Sequence, residues 1–137
     1  MQIIVTVKQV ADPNFPPAHI QLDPTGRRIL IPYGSPPVMN GYDANAMEAA
    51  LQLKEQHGGK ITALTVGDEA SRQVLKRAVG MGADHAVLLG DDAWLFADAA
   101  GTGEVIAAAV RKVGMPDLVL CGRQASDTDG GQVLYRI

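Results

Sequence analysis

Short runs of consecutive apolar residues alternate along this chain with longer segments in which apolar residues recur every third or fourth position. Runs of this length, rich in branched side chains, are typical of strands buried on both faces of a parallel sheet. They predict strands over residues 3–7, 61–66, 86–89 and 117–121. The longer segments between these strands predict helices.

The clearest helical pattern lies in residues 68–81. Its apolar positions repeat at intervals of three and four, which predicts a helix with one face toward the core. That face consists of Ala70, Val74, Ala78 and Met81. Gly82 follows as a C-terminal stop, because glycine readily adopts the backbone conformation that ends a helix.

Two further helices are predicted on the same grounds. One follows Asn40 and ends at the glycines of positions 58–59. Asn40 and Asp43 have the spacing of a capping box, which we favour as the explanation of this helix start over a contact with an anion or a sugar. The other helix covers residues 102–113 and stops at Gly114. Its residues predicted to face the core are Ile106, Ala109 and Val113.

The order strand, helix, strand, helix, strand, helix, strand predicts a three-layer, doubly wound α/β fold with a mostly parallel sheet, Rossmann-like and of the adenine-nucleotide-binding type. Residues 19–22 and 27–31 flank a type I turn sequence, Asp23-Pro24-Thr25-Gly26, which predicts a small β-hairpin insertion after strand 1. Residues 132–136 begin a helix that stops within two turns. We therefore expect one nucleotide-binding α/β domain over residues 1–137, truncated at its C-terminal end.

Composition narrows the class of protein. The 137 residues are 47% hydrophobic and 20% charged, which fits one globular domain with a core of small aliphatic side chains. A net charge of −3 gives no basic surface for nucleic acid or anionic lipid. The chain has a single cysteine, Cys121, so it cannot form an intramolecular disulfide. No run of apolar residues is long enough to span a membrane. We expect a protein of a reducing compartment with no metal site, no nucleic-acid partner and no membrane insertion.

An open α/β sheet binds its ligands beyond the carboxyl ends of its strands, where strand order reverses. The longest polar segment at these ends is residues 122–132, whose glycines allow a phosphate to approach backbone N–H groups, although an ordinary surface turn explains them about as well. Lys8 would either reach a phosphate or leave the sheet into solvent. Asp127 and Asp129 would bind a ribose or Mg²⁺, or form Asx turns. No histidine or cysteine has the partners of a catalytic group, so we expect no catalytic residues.

Four stretches, in order and spacing, resemble the beta subunit of electron transfer flavoproteins. They are Val5-Thr6-Val7-Lys8-Gln9-Val10, Met39-Asn40-Gly41-Tyr42-Asp43 with the helix that follows, Leu75-Lys76-Arg77-Ala78-Val79-Gly80-Met81-Gly82-Ala83-Asp84, and Asp117-Leu118-Val119-Leu120-Cys121-Gly122-Arg123-Gln124-Ala125. The resemblance covers the whole chain, which corresponds to about the first half of a family member.

The resemblance implies a subunit that holds AMP in a structural role and pairs with an alpha subunit carrying the redox FAD. The pair would pass electrons from flavin dehydrogenases to a quinone oxidoreductase or another acceptor, in the cytoplasm or in the mitochondrial matrix of a eukaryote. Related electron-bifurcating members hold a second FAD in place of AMP. By position, the implied cofactor contacts are Thr6, Asn40, Gly41, Tyr42, Asp43, Val66, Gly122, Arg123, Gln124, Ala125, Asp127, Asp129, Gly130, Gly131, Gln132 and Val133, and the strand-end argument adds Lys8.

The chain departs from the family pattern near the phosphate. Gly41 stands where many members have proline, and Gly131 and Val133 stand where some have Asn and Thr, so backbone N–H groups would hold the phosphate without a hydroxyl. Leu134-Tyr135-Arg136 replaces a small continuation of the Gly-Pro type. The alternative is a stand-alone adenine-nucleotide-binding module of the universal-stress-protein type, whose usual glycine spacing this chain lacks. A third hypothesis is that the chain is a structural remnant that binds no ligand.

Overall fold

A computed structural model of the chain describes residues 1–26, 29–30, 37–91, 94 and 97–137. The strands in these residues are β1 (Gln2–Thr6), β2 (Gln9–Val10), β3 (Gln21–Leu22), β4 (Ile29–Leu30), β5 (Val38–Met39), β6 (Lys60–Val66), β7 (His85–Leu89) and β8 (Leu118–Cys121). The α-helices are α1 (Gly41–His57), α2 (Arg72–Met81) and α3 (Ala99–Val113). No helix in the described residues is both long enough and apolar enough to cross a bilayer.

The central sheet has four parallel strands in the order β7-β6-β1-β8. The chain builds outward from β1 through β6 to β7 and then returns to the other side of β1, so strand order reverses between β1 and β8. This is the doubly wound α/β arrangement that the sequence predicts. The reversal places the ends of β1 and β8 together, with Thr6 level with Cys121.

Helices cover both faces of the sheet, which confirms the three layers. The core beneath α1 and α2 includes Ile3, Val5, Met47, Ala50, Ile61 and Ala78. The core beneath α3 includes Ile4, Leu64, Ile106, Ala109 and Val110. Because neighbouring residues of a strand point to opposite faces, two cores require the continuous apolar runs that the sequence contains.

The helices agree with prediction except near their ends. Residues 69–71 form a 3₁₀ turn, capped by the Asp68 carboxylate that accepts from the Ser71 N–H at 3.3 Å, so Ala70 is exposed rather than inward. α3 begins before residue 102, because the Asp98 carboxylate accepts from the Gly101 N–H at 2.8 Å and caps an earlier turn. Val113 was expected to face the core, but it is 46% exposed in the last turn.

The predicted hairpin is present as β3 paired antiparallel with β4, and its turn is closed by the Gly26 N–H donating to the Asp23 carbonyl at 2.9 Å. Residues 27–28 and 31 of this prediction lie outside the described residues. The last segment differs from the expected helix start. Val133–Arg136 is a 3₁₀ helix, and its Val133 packs into the core beneath α3.

Candidate functional site

The carboxyl edge of the sheet brings together four parts of the chain: the end of β1, the end of β8, the loop after β8 and the start of α1. Thr6 and Cys121 lie side by side at the ends of their strands, and their side chains hydrogen bond to each other. Partial burial raises the pKa of the Cys121 thiol. Strand register with Thr6 places Cys121 at this edge.

Asn40 joins the start of α1 to the loop after β8. Its side-chain amide donates to the Gln124 carbonyl at 2.8 Å, and its side-chain oxygen accepts from the Ser126 N–H at 3.2 Å. The residue occupies the N-cap position without a side-chain capping bond, so the capping-box interpretation is wrong. Only 1% of Asn40 is exposed, and both ends of its amide are used by a loop more than eighty residues away.

Asp43, the second residue of that supposed box, also turns away from its own helix. Its carboxylate accepts from the Lys8 N–H at 2.7 Å and lies against Gly122, whose N–H also stabilises the carboxylate charge, so one side chain joins α1 to the ends of β1 and β8. Burial raises the pKa of Asp43 to about 6, although the two N–H donors, the Asn40 side chain and the Lys8 charge oppose the increase. A Cβ on Gly122 would lie 2.1 Å from the Asp43 Oδ1, which explains the glycine there.

An ion pair, a side-chain hydrogen bond and left-handed backbone shape the loop over residues 122–132. The Lys8 ammonium contacts both carboxylate oxygens of Asp127, at 2.8 and 2.9 Å, so Lys8 neither points freely into solvent nor lacks a counter-ion. The Gln124 side-chain amide donates to the Asp129 carboxylate at 2.7 Å. Asp129 has a φ of 49°, a left-handed conformation that aspartate tolerates better than most residues.

The segment after Asp129 presents backbone N–H groups. Gly131 has a φ of 57° and Gln132 is in the right-handed helical region, a succession of the kind that directs neighbouring N–H groups into one concavity. Within the described residues, the N–H groups of Gly131 and Gln132 have no hydrogen-bond partner. Such a concavity binds anions, which is the chemistry expected of these residues from the sequence.

The remaining predicted residues take different positions around this edge. Thr6 and Val66 both lie at the ends of neighbouring strands. Gly41 and Tyr42 line a cavity of about 590 Å³ that is also lined by Asn40, by Val10 and by Ser126 of the loop after β8. Arg123 and Gly130 are exposed, and Ala125 accepts N–H bonds within the loop. In the described part of the chain, no three His, Cys, Asp or Glu side chains are grouped as metal ligands.

Comparison with known proteins gives the family. Residues 29–137 match the electron transfer flavoprotein domain. The chain is 40% identical over 133 residues to the electron transfer flavoprotein subunit beta of Thermoanaerobacterium thermosaccharolyticum, covering 97% of this chain and 49% of that protein. It is 42% identical over 137 residues to protein FixA of Azorhizobium caulinodans, covering 97% of this chain and 47% of the relative.

A third relative is subunit CarD of the caffeyl-CoA reductase-Etf complex of Acetobacterium woodii, 42% identical over 135 residues, with 97% of this chain and 49% of CarD covered. The chain spans about half the length of the curated relatives it matches. The matched domain takes up most of the chain and the relatives include several beta subunits, as the resemblance in the sequence implied. This chain therefore belongs to the electron transfer flavoprotein family and is similar to its beta subunits.

Proposed function

We propose that this chain is the nucleotide-binding part of an electron transfer flavoprotein beta-type subunit. It holds AMP at the carboxyl edge of its sheet and pairs with an alpha subunit that carries the redox FAD. The pair passes electrons from flavin dehydrogenases to a quinone oxidoreductase or a comparable acceptor, and this chain contributes no catalytic residue. Its family and the names of its beta-subunit relatives support the general role.

The observation that carries the nucleotide proposal is the pair of unpartnered N–H groups at Gly131 and Gln132. They are positioned beside Gln124, since a Cβ on Gly131 would lie 3.9 Å from the Gln124 Cβ, in a loop fixed by Asn40. A phosphate would complete these bonds without requiring a hydroxyl at Val133. The residues present therefore fit the phosphate of AMP.

The other predicted contact residues have different roles in this proposal. Thr6 and Val66, at the ends of β1 and β6, would flank the base and sugar. Lys8 lends positive charge to the phosphate side while Asp127 holds it in place. Asn40 and Asp43 serve by holding the loop, because their polar atoms already bond to backbone groups.

The first experiment is chemical identification of the nucleotide. The chain is purified, denatured by heat, and the released compounds are identified by mass spectrometry, followed by calorimetric titration of nucleotide-free chain with AMP and ADP. We expect AMP in the supernatant and saturable heat in the titration. Release of FAD would replace AMP by FAD in the proposal, and no nucleotide together with no heat would refute nucleotide binding.

The second experiment concerns the partner. The tagged chain is mixed with an electron transfer flavoprotein alpha subunit, and the eluted complex is examined for yellow colour and for reduction by a flavin dehydrogenase. We expect flavin absorbance only with the alpha subunit. A yellow, reducible chain without any partner would contradict the assignment of the redox FAD to the other subunit.

A further inference from the structure

The bonds of one carboxylate at the carboxyl edge suggest a role beyond helix capping. Asp43 belongs to α1, yet its carboxylate accepts from the N–H of Lys8 after β1 at 2.7 Å and lies against Gly122 after β8, whose N–H also stabilises the carboxylate charge. These two strands are the pair between which strand order reverses. Among the described residues, no other side chain interacts with the backbone beyond both strand ends.

The Asp43 carboxylate is closely packed by its neighbours. Asp43 is 6% exposed, and a Cβ on Gly122 would also approach the Asp43 backbone nitrogen to 2.8 Å. The loop after β8 therefore cannot shift toward α1, and the attraction between the Asp43 carboxylate and the Gly122 N–H opposes movement away. Two residues further along, the loop is attached again by the Asn40 bond to the Gln124 carbonyl.

We propose that Asp43 is a positioning residue for the nucleotide site, whose carboxylate fixes where the loop of residues 122–132 leaves β8 and thereby where its N–H groups meet a phosphate. The part that concerns phosphate rests on the proposed function. The part that concerns the loop does not, because it is a property of the chain without any ligand.

A carboxylate that only stabilises the fold should respond differently to substitution, and the chain contains one for comparison. The Asp117 carboxylate accepts from the Gln2 N–H at 2.7 Å, the same kind of bond at the same length, at the opposite end of β1. Removing the Asp117 bond should lower stability without changing the loop after β8. Removing the Asp43 carboxylate should change both the stability of the chain and the loop after β8.

Asp43→Asn is the informative variant, because the asparagine oxygen accepts from only one of the two N–H groups and its NH₂ group meets the other donor. Hydrogen exchange of amides 122–132 is measured without nucleotide in the unmodified chain, in Asp43→Asn and in Asp117→Ala. We expect exchange in this loop to accelerate about tenfold in Asp43→Asn, as losing a charge-assisted bond implies, and to stay within about twofold in Asp117→Ala. Equal loop exchange in Asp43→Asn and the unmodified chain overturns the proposal.

AMP titration of the same proteins separates this proposal from the proposed function. If the unmodified chain binds AMP, we expect Asp43→Asn to bind about tenfold more weakly and Asp117→Ala to bind equally well. Equal AMP affinity in Asp43→Asn would refute the positioning of the phosphate site. If the unmodified chain binds no nucleotide, the proposed function fails, and the exchange data alone decide the positioning of the loop.

A measurement on the unmodified chain covers the case in which Asp43→Asn does not fold. Burial raises the pKa of Asp43 to about 6, and the other ionisable groups facing it are the Lys8 ammonium and the Cys121 thiol. Amide NMR shifts are recorded without nucleotide between pH 5 and pH 7, a window set by that pKa. We expect Lys8, Gly122 and Ser126 to move together with one midpoint, while Gln2 does not follow. A titration seen at Lys8 but absent at Gly122 and Ser126 overturns the proposal.

Discussion

The two ends of the parallel sheet use the same bond with opposite electrostatic results. At the amino end, the Asp84 carboxylate accepts from the Ile61 N–H at 2.8 Å, and at the carboxyl end the Asp43 carboxylate accepts from the Lys8 N–H at 2.7 Å. The Lys54 ammonium beside Asp84 holds the pKa of that carboxyl below its usual value, whereas burial raises the pKa of Asp43 to about 6. The hydrogen bond of Asp84 at the amino end therefore does not require an unfavourable buried charge.

The comparison shows where this fold tolerates an unfavourable arrangement. A buried carboxylate and a left-handed Asp129 both lie at the carboxyl end, beside the N–H groups of Gly131 and of the exposed Gln132. Perturbed ionisable groups and strained backbone concentrate at functional sites in proteins generally. This asymmetry agrees with the assignment of ligand binding to the carboxyl end.

The largest expected effect comes from adding a methyl group where each end is tightest. Gly122→Ala would place a Cβ 2.8 Å from the Asp43 backbone nitrogen, and Gly59→Ala would place one 1.8 Å from the Met1 carbonyl oxygen. We expect each to lower the free energy of unfolding by about 3 kcal/mol, measured by urea denaturation. Only Gly122→Ala should also weaken AMP binding.

Gly80→Ala, at an exposed position of α2, is the control for these two variants, because nothing lies within 4 Å of its Cβ position. It should not lower stability, since alanine is the better helix former, and it should leave affinity unchanged. A stable Gly122→Ala variant would mean that α1 and the loop after β8 are not in contact as described.

The dependence of stability on pH should have opposite signs at the two ends. Because the pKa of folded Asp43 is raised from 3.8 to about 6, the folded chain holds an extra proton between these values. The Asp43 contribution therefore lowers the free energy of unfolding as pH rises through this window, by up to about 3 kcal/mol. Asp84, whose pKa is lowered, contributes stability above pH 3.8 that is lost as pH falls further.

Urea denaturation of Asp43→Asn and Asp84→Asn against the unmodified chain, repeated from pH 3 to pH 7, measures both contributions. The difference between the unmodified chain and Asp43→Asn should change between pH 4 and pH 6, and that for Asp84→Asn only in more acidic solution. Parallel curves for the two variants would contradict the contrast between the ends.

A smaller, more specific effect is expected in the loop itself. Gly131→Val forces a β-branched residue into a φ of 57° beside the proposed phosphate, so AMP affinity should fall roughly tenfold. Asp129→Asn keeps an acceptor for Gln124 and tolerates its left-handed conformation, so affinity should change less than about twofold. Calorimetric titration of both variants measures this difference, and unchanged affinity in both would mean that the loop is only a turn.

How far the sequence predicts this molecule depends on the range of the interactions involved. The strands follow from their apolar runs, because burial on both faces leaves few polar positions, such as Thr62 and Thr65 in β6. Asn40 and Asp43 could not be interpreted from their spacing, since a capping box needs the same residue types and the actual partners lie up to eighty-six residues away. The side-by-side position of Thr6 and Cys121 likewise depends on strand register rather than on neighbours in sequence.

The smallest expected effect concerns Lys8 and Asp127, an ion pair with 44% and 23% of the side chains exposed. Lys8→Met should change the free energy of unfolding by less than about 1 kcal/mol, because solvent screens such pairs. It should weaken AMP binding several-fold at low salt and less at high salt, since the lysine acts through its charge. Affinity that is independent of both the substitution and the salt concentration would remove Lys8 from the site.

The most direct test of nucleotide binding at the carboxyl end is an AMP titration of the ¹⁵N-labelled chain followed by amide NMR. We expect the largest shift changes at Thr6, Gly122, Gly131 and Gln132, and none at Gln2 or Ile61, which mark the amino end. Saturable changes confined to the carboxyl end would support the account. Changes centred on the amino end, or no change in a folded, nucleotide-free chain at AMP concentrations far above those of the protein, would contradict it.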